Sequence, residues 1–241
     1  MTPREHMLYL TDDSVRAVVR TVNPKTQTRR VVKLPHNNPL GVWEPHIIGG
    51  PNGGRTARGE TIPEQGGIWH TRTGDSLMCP YGQPGDRLWI REAWCHLSDV
   101  RTADPGGDAL QRRAFYRADY PGDTLMHDDR PEEKIKWRSS RFMPRWASRI
   151  TLEVVSVRVE RLQEISEADA IAEGLISVAG PLQARMWEYS AVAGGQFADP
   201  RVAYRCLWDE LHVARGYGWD ANPWVWVIEF RRSDKSGEES C

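Results

Sequence analysis

Lys25 and Thr28 stand three residues apart in "NPKTQTRR", residues 23–30, the stretch of this chain best furnished for chemistry. An ammonium is ordinarily protonated at neutral pH and binds anions. Burial beside Arg29 and Arg30 would lower its pKa and free its lone pair to act as a base. A threonine hydroxyl becomes a nucleophile only with such a base within hydrogen-bond reach. In an extended or turn conformation both side chains can face one cavity. A solvated surface loop has the same composition, and spacing does not separate the two. A third group, Glu173, falls in the last turn of a helix read over 166–173, within "SEADAIAEGL". The negative end of the macrodipole disfavours a carboxylate charge there, which suits a group that shuttles protons. An inert, exposed glutamate fits that spacing as well.

These groups need elements to hold them. Val15, Val18, Val19 and Val22 recur at helical spacing, capped by Thr11 or Asp12, and predict a helix over 12–21. Pro24 stops it, and "TRRVVKL" follows as a strand. Residues 34–78 carry nine glycines and five prolines and read as an excursion from the core, with short strands at Val42–Ile48 and Ile68–Arg72. Its Gly-rich part, 49–60, is expected to be a mobile flap near the cleft or disordered in solution. Further strands are read at Arg87–Trp94, 114–119 and Ile150–Glu160, the last with a slip in alternation near Val154-Val155 that reads as a bulge or as a strand buried on both faces. Ser166 and Asp169 have capping-box spacing, and Gly174 suits the position just past the helix end. A last helix, Asp199–Val213, is expected to face Val202, Cys206 or Leu207, Trp208 and Leu211 inward. "NPWVWVIEFRR" closes the sheet, and the tail after Arg232 reads as frayed. Several strands, few helices and no βαβ rhythm predict a mixed α+β fold around a small barrel or curled sheet: one domain over 1–232, with insertion 34–78 and tail 233–241.

The net charge is −1, from 32 Lys and Arg against 33 Asp and Glu, so the chain is not a uniformly basic nucleic-acid binder. Its charge is segregated instead. Six basic residues and no acid lie between Arg16 and Lys33, and seven basic residues against two acids lie between Arg130 and Arg149. Such patches can steer an anionic ligand. Eleven tryptophans interleave with arginines, as at Arg145-Trp146. Rings among cations suit base stacking with phosphate contact, and Arg141, Arg145 and Trp146 are the candidates for that surface. In "RLWIREAW" and "WVWVIEF" the rings read as core. Cys79, Cys95, Cys206 and Cys241 form no C-x-x-C pair; they read as free thiols of a reducing cytoplasm, with no metal or cofactor called for. No leader is read in the first twenty residues, and no apolar run is long enough to span a bilayer.

Taken in order, "KTQTRR", "PGDRLWIREAW", "MPRWASRITLEV", "DAIAEGL" and "NPWVWVIEF" resemble the ASCH-domain proteins, in the long form found in bacteriophages and prophages. The resemblance runs from about residue 7 to 232 and implies a PUA-like β-barrel with flanking helices. The family hallmark G-x-K-x-x-E-x-R maps here onto Asn23, Lys25, Thr28 and Arg30. Asn for Gly is mild, because Asn also tolerates a left-handed backbone. Thr for Glu is similar to the small bacterial enzymes that hydrolyse N4-acetylcytidine to cytidine and acetate with a lysine, a threonine three residues on and a glutamate from a later helix. The resemblance therefore implies Lys25 as base, Thr28 as nucleophile or water-positioning group, and Glu173 as proton donor to the leaving amine. Arg30, with Arg29, would hold an anion or the developing oxyanion. The partner so implied is a modified nucleoside or RNA. A non-catalytic RNA- or nucleotide-binding module and a ribonuclease on single-stranded RNA stand beside this hydrolase as readings of the same residues.

Overall fold

A computed structural model describes residues 3–51, 55, 58–96, 114–120, 136–181, 184–189 and 195–233. In chain order the elements are β1 (Glu5–Tyr9), α1 (Asp12–Val19), β2 (Gln27–Val31), β3 (Trp43–Ile48), β4 (Gln65–His70), β5 (Ser76–Met78), β6 (Arg87–Arg91), β7 (Trp94–His96) and β8 (Ala114–Tyr116). There follow β9 (Thr151–Arg161), α2 (Glu167–Ala172), β10 (Ile176–Ala179), β11 (Arg185–Glu188), α3 (Pro200–His212) and β12 (Trp224–Arg232). The fold is mixed α+β. Its main sheet has five strands in the order β1-β6-β9-β12-β2, with β1 parallel to β6 and the other pairs antiparallel.

Strand β12 explains why "WVWVIEF" is apolar without alternation. Trp226, Ile228 and Phe230 face one core, shared with α1, β4 and β6. Val225 and Val227 face a second core, built with α2 and α3. A strand covered on both faces gains from apolar residues at every position. The β9–β12 ladder slips between Ser156↔Glu229 and Val154↔Phe230, so Val155 has no partner in it and is half exposed. The bulge is thus where the broken alternation predicts it. Trp94 and Trp226 are core, whereas Trp89 and Trp224 are only partly buried, each with an arginine over its ring.

The insertion forms an antiparallel three-stranded sheet, β3-β4-β5, laid across β9. Gly66 permits the crossing: a Cβ there would stand 2.6 Å from Arg158 Cα. The flap expected over 49–60 includes residues 52–54 and 56–57, which lie outside the described residues, as does the tail from 234.

Several expectations need correction. Helix α1 ends at Val19, which leaves Val22 beyond it and 72 % exposed. The strand read over Arg87–Trp94 breaks at Glu92-Ala93 into β6 and β7, because Glu92 turns inward to meet Arg149. The stripe of α3 is rotated from the one expected: Ala203, Tyr204 and Trp208 are buried, and Val202 and Leu211 are exposed. Only half of the expected capping box forms. Ser166 accepts from the Asp169 backbone N–H at 3.1 Å, but the Asp169 carboxylate turns to two arginines instead.

Candidate functional site

Three local features bring Lys25 to Glu173 across 148 residues of sequence. Asn23 takes a left-handed turn (φ 46°) after α1, the conformation for which Asn substitutes for Gly. The next residues are clamped between helices: the Lys25 backbone N–H donates to Ala17 O at 2.8 Å, and that of Thr26 to Ala172 O at 2.9 Å. Gly174 ends α2 with φ +102°, and a Cβ there would lie 2.8 Å from Ala17 Cβ and 3.1 Å from Lys25 Cβ. Only a residue without a side chain lets the end of α2 approach this closely.

The Lys25 ammonium donates to Glu173 Oε2 and to the Glu173 carbonyl, both at 2.6 Å, and both residues are buried. Burial drives the lysine pKa down. Glu173 works against that through its charge and hydrogen bond, Arg30 and Arg29 add to the lowering, and the net direction is down. Thr28, in β2 opposite Ile228, lines the same cavity of about 70 Å³ as Lys25, Glu173 and Arg30. The Thr28 hydroxyl has no hydrogen-bond partner among the described residues.

Alternation along β2 gives its arginines different tasks. Arg29 is 3 % exposed and is taken up by carboxylates: Glu173 at 3.3 Å, Glu160 at 2.5 Å and Asp169 at 3.3 Å. Burial opposes its charge, but Glu173, Tyr204 and Glu160 outweigh that and raise its pKa. Arg29 thus helps hold Glu173 in place, and it lines the small cavity together with Arg30. Arg30 lines the cavity, donates to Tyr9 O at 2.6 Å and keeps its Nε buried without a partner. The network continues outward through Arg158, which bonds Glu160 at 3.1 Å, Asp169 at 2.9 Å and Glu229. Gln27 fits between them with its amide nitrogen toward Asp169 and its oxygen toward Arg29.

The small cavity opens into a groove of about 840 Å³, and Tyr9, Arg30, Glu173 and His212 line both. The basic aromatic segment meets this groove at Trp137, Arg138, Ser139 and Ser140. Arg141, Arg145 and Trp146 do not line it, contrary to expectation. Arg145 grips Glu5 at 2.9 and 3.0 Å over the Trp89 ring, and Trp146 meets Trp94 and His96 edge-on. The turn at 144–147 thus sets Arg145 against β1 and β6 and Trp146 against β7.

Sequence reasoning missed Tyr204 and His212. Both lie on the α3 stripe i, i+4, i+8 with Trp208, so the helical period that found Trp208 also reaches them. Tyr204 is buried, and its pKa is pushed well above the usual phenol value by burial and then by the charge of Glu173. Among the described residues no cluster of His, Cys, Asp or Glu gathers to hold a metal ion, and no helix is long and apolar enough to cross a membrane. Fold and site together define a mixed α+β protein with a buried lysine–glutamate pair at the floor of a polar groove. Comparison with protein-family models, curated proteins and solved structures finds no match.

Proposed function

We propose that this cleft hydrolyses an acylated nucleobase or nucleoside, in the manner of the N4-acetylcytidine amidohydrolases, within an ASCH-type, PUA-like fold. The observation that carries the reading is the 2.6 Å Lys25–Glu173 contact in a cavity that Thr28 shares. Across that contact the buried ammonium can pass one proton to the carboxylate, leaving a neutral amine and a carboxylic acid. The neutral form holds both groups the reaction needs. Lys25 Nζ bonds Glu173 and not Thr28 in the free protein, so on substrate binding it would turn within the shared cavity to take the Thr28 hydroxyl proton as Oγ1 attacks the acyl carbon, and Glu173 would give its proton to the departing exocyclic amine. Water then attacks the acyl-threonine, giving its proton to Glu173, while Lys25 returns one to Thr28. A carboxylic acid leaves, and the pair is as it began. If Thr28 only orients water, the same two proton transfers serve a single displacement. Arg30, which lines the cavity, would stabilise the developing oxyanion.

The size of the groove favours a second reading, a non-catalytic RNA-binding module, in which Trp137 and Arg138 contact a strand. Incubation with a panel of acylated nucleosides and acylated RNA, followed by mass spectrometry, separates the two. The hydrolase reading expects loss of the acyl mass with release of the free base form. Salt-dependent RNA binding with no mass change in any member would favour the module.

A further inference from the structure

The cavity of about 70 Å³ is far below the roughly 300–1,000 Å³ of pockets that enclose a small-molecule ligand. It has room for an acyl group but not for the ring that carries it, so the ring must lie where the groove narrows into the cavity. His212 stands at that junction, lining both spaces at the end of α3. Its imidazole lies on the Trp208 indole, centroids 4.1 Å apart and planes 29° apart. Trp208 is itself fixed, 2 % exposed and donating from its ring nitrogen to Tyr217 O at 2.7 Å. The His212 ring is thus held in one plane, only partly buried, and its nitrogens have no hydrogen-bond partner among the described residues. A ring that merely closed the helix end would not need this aim into the cleft.

The charged groups around it are Arg30 from β2, Arg215 just past α3, and Lys25 and Glu173 across the cavity. Burial first, then Arg215 and Arg30, push the His212 pKa down to about 4. At neutral pH the imidazole therefore offers one N–H donor and one lone pair. The ring edge of a nucleobase carries the complementary acceptor and donor beside the acylated amine, whereas the phenyl ring of acetanilide carries no polar atom.

We propose that His212 is the base-reading residue of this site: it hydrogen-bonds the polar ring edge of the bound heterocycle and restricts the cavity to acylated bases. This rests on the reading that the cleft takes a nucleobase. The test uses the full chain with His212→Phe, which keeps the ring stack on Trp208, and His212→Gln, which keeps a donor and an acceptor. Cytidine and N4-acetylcytidine binding is measured by tryptophan fluorescence, and turnover is measured on N4-acetylcytidine and on acetanilide. Loss of one neutral hydrogen bond predicts cytidine binding about 3- to 10-fold weaker in His212→Phe, with His212→Gln close to wild type. The loss in kcat/KM should fall on N4-acetylcytidine, mainly through KM, and spare acetanilide. Wild-type binding without turnover would end the hydrolase reading and leave the base-reading role to the binding data. Equal binding by His212→Phe and wild type, equal loss on both substrates, or no cytidine binding by the wild type would overturn the proposal.

Discussion

Glu173→Gln keeps the shape of the buried side chain and removes its charge, which isolates what that charge does. Two cations lose an anion, but not equally. Arg29 retains Glu160 at 2.5 Å and Asp169 at 3.3 Å, whereas no other carboxylate bonds Lys25 among the described residues. Breaking a buried ion pair from one side costs about 3–5 kcal/mol while the remaining charge persists. Lys25 has an escape, because its pKa already lies below the ordinary 10.5 through burial, and losing Glu173 lowers it further. The unfolded chain then binds more protons than the folded one, so stability rises with pH between the folded and unfolded pKa values. The penalty should be greatest at the acid end of the range and shrink as pH rises toward the ordinary lysine value of 10.5, by at most about 1.4 kcal/mol per pH unit once Lys25 deprotonates. Urea unfolding followed by tryptophan fluorescence at several pH values measures it. Lys25→Met combined with Glu173→Gln should restore at least half of the loss, since no stranded charge remains. A penalty under about 1 kcal/mol, or one that is flat with pH, would refute the stranded-lysine reasoning.

Gly174→Ala combines a left-handed backbone with a Cβ 2.8 Å from Ala17 Cβ, so a loss of about 1–3 kcal/mol in chemical denaturation is expected, with weaker ligand binding as Lys25 shifts. His212 is depressed from 6.5 to about 4, so the unfolded state binds the extra proton between these values. Stability should therefore fall as pH drops from about 6.5 to about 4, and His212→Phe should reduce that slope in melting experiments across the window. Arg141→Ala with Arg145→Ala removes no groove-lining side chain, so nucleoside binding measured by fluorescence should stay within about twofold of wild type, while Arg138→Ala should weaken RNA binding and lower its salt slope by about one.

Much of this was legible in the sequence where local rules and tertiary demands agree. Thr11 and Ser166 cap the helices they precede, and the slip at Val154-Val155 is a bulge. The resemblance-based trio Lys25, Thr28 and Glu173 lines one cavity. What was not legible depends on partners far along the chain. Asp169 looked like a capping residue, but Arg29 and Arg158 claim its carboxylate, and no local pattern reveals a partner on another strand. Arg29 and Arg30 are neighbours of one type and both line the cavity, but only Arg29 is taken up by Glu160, Asp169 and Glu173, and nothing local in the sequence shows which of the two those distant carboxylates will engage. Arg145 and Trp146 read as a nucleic-acid surface, yet Glu5, 140 residues away, and Trp94 engage them. The hairpin of β10 and β11 went unread because "ISVA" and "RMWE" are too short to show a period.

The central claim, that Lys25 and Glu173 move protons rather than merely hold the fold, is tested most directly by turnover of N4-acetylcytidine in Lys25→Arg and Glu173→Gln, each checked for ligand-induced melting shifts. Arginine keeps the charge but cannot deprotonate in the accessible pH range, and glutamine fills the site without a proton to give. The wild-type protein should release acetate, and both variants should still bind ligand but lose at least about 100-fold in kcat. Full turnover in both variants, or none in the wild type, would contradict that claim.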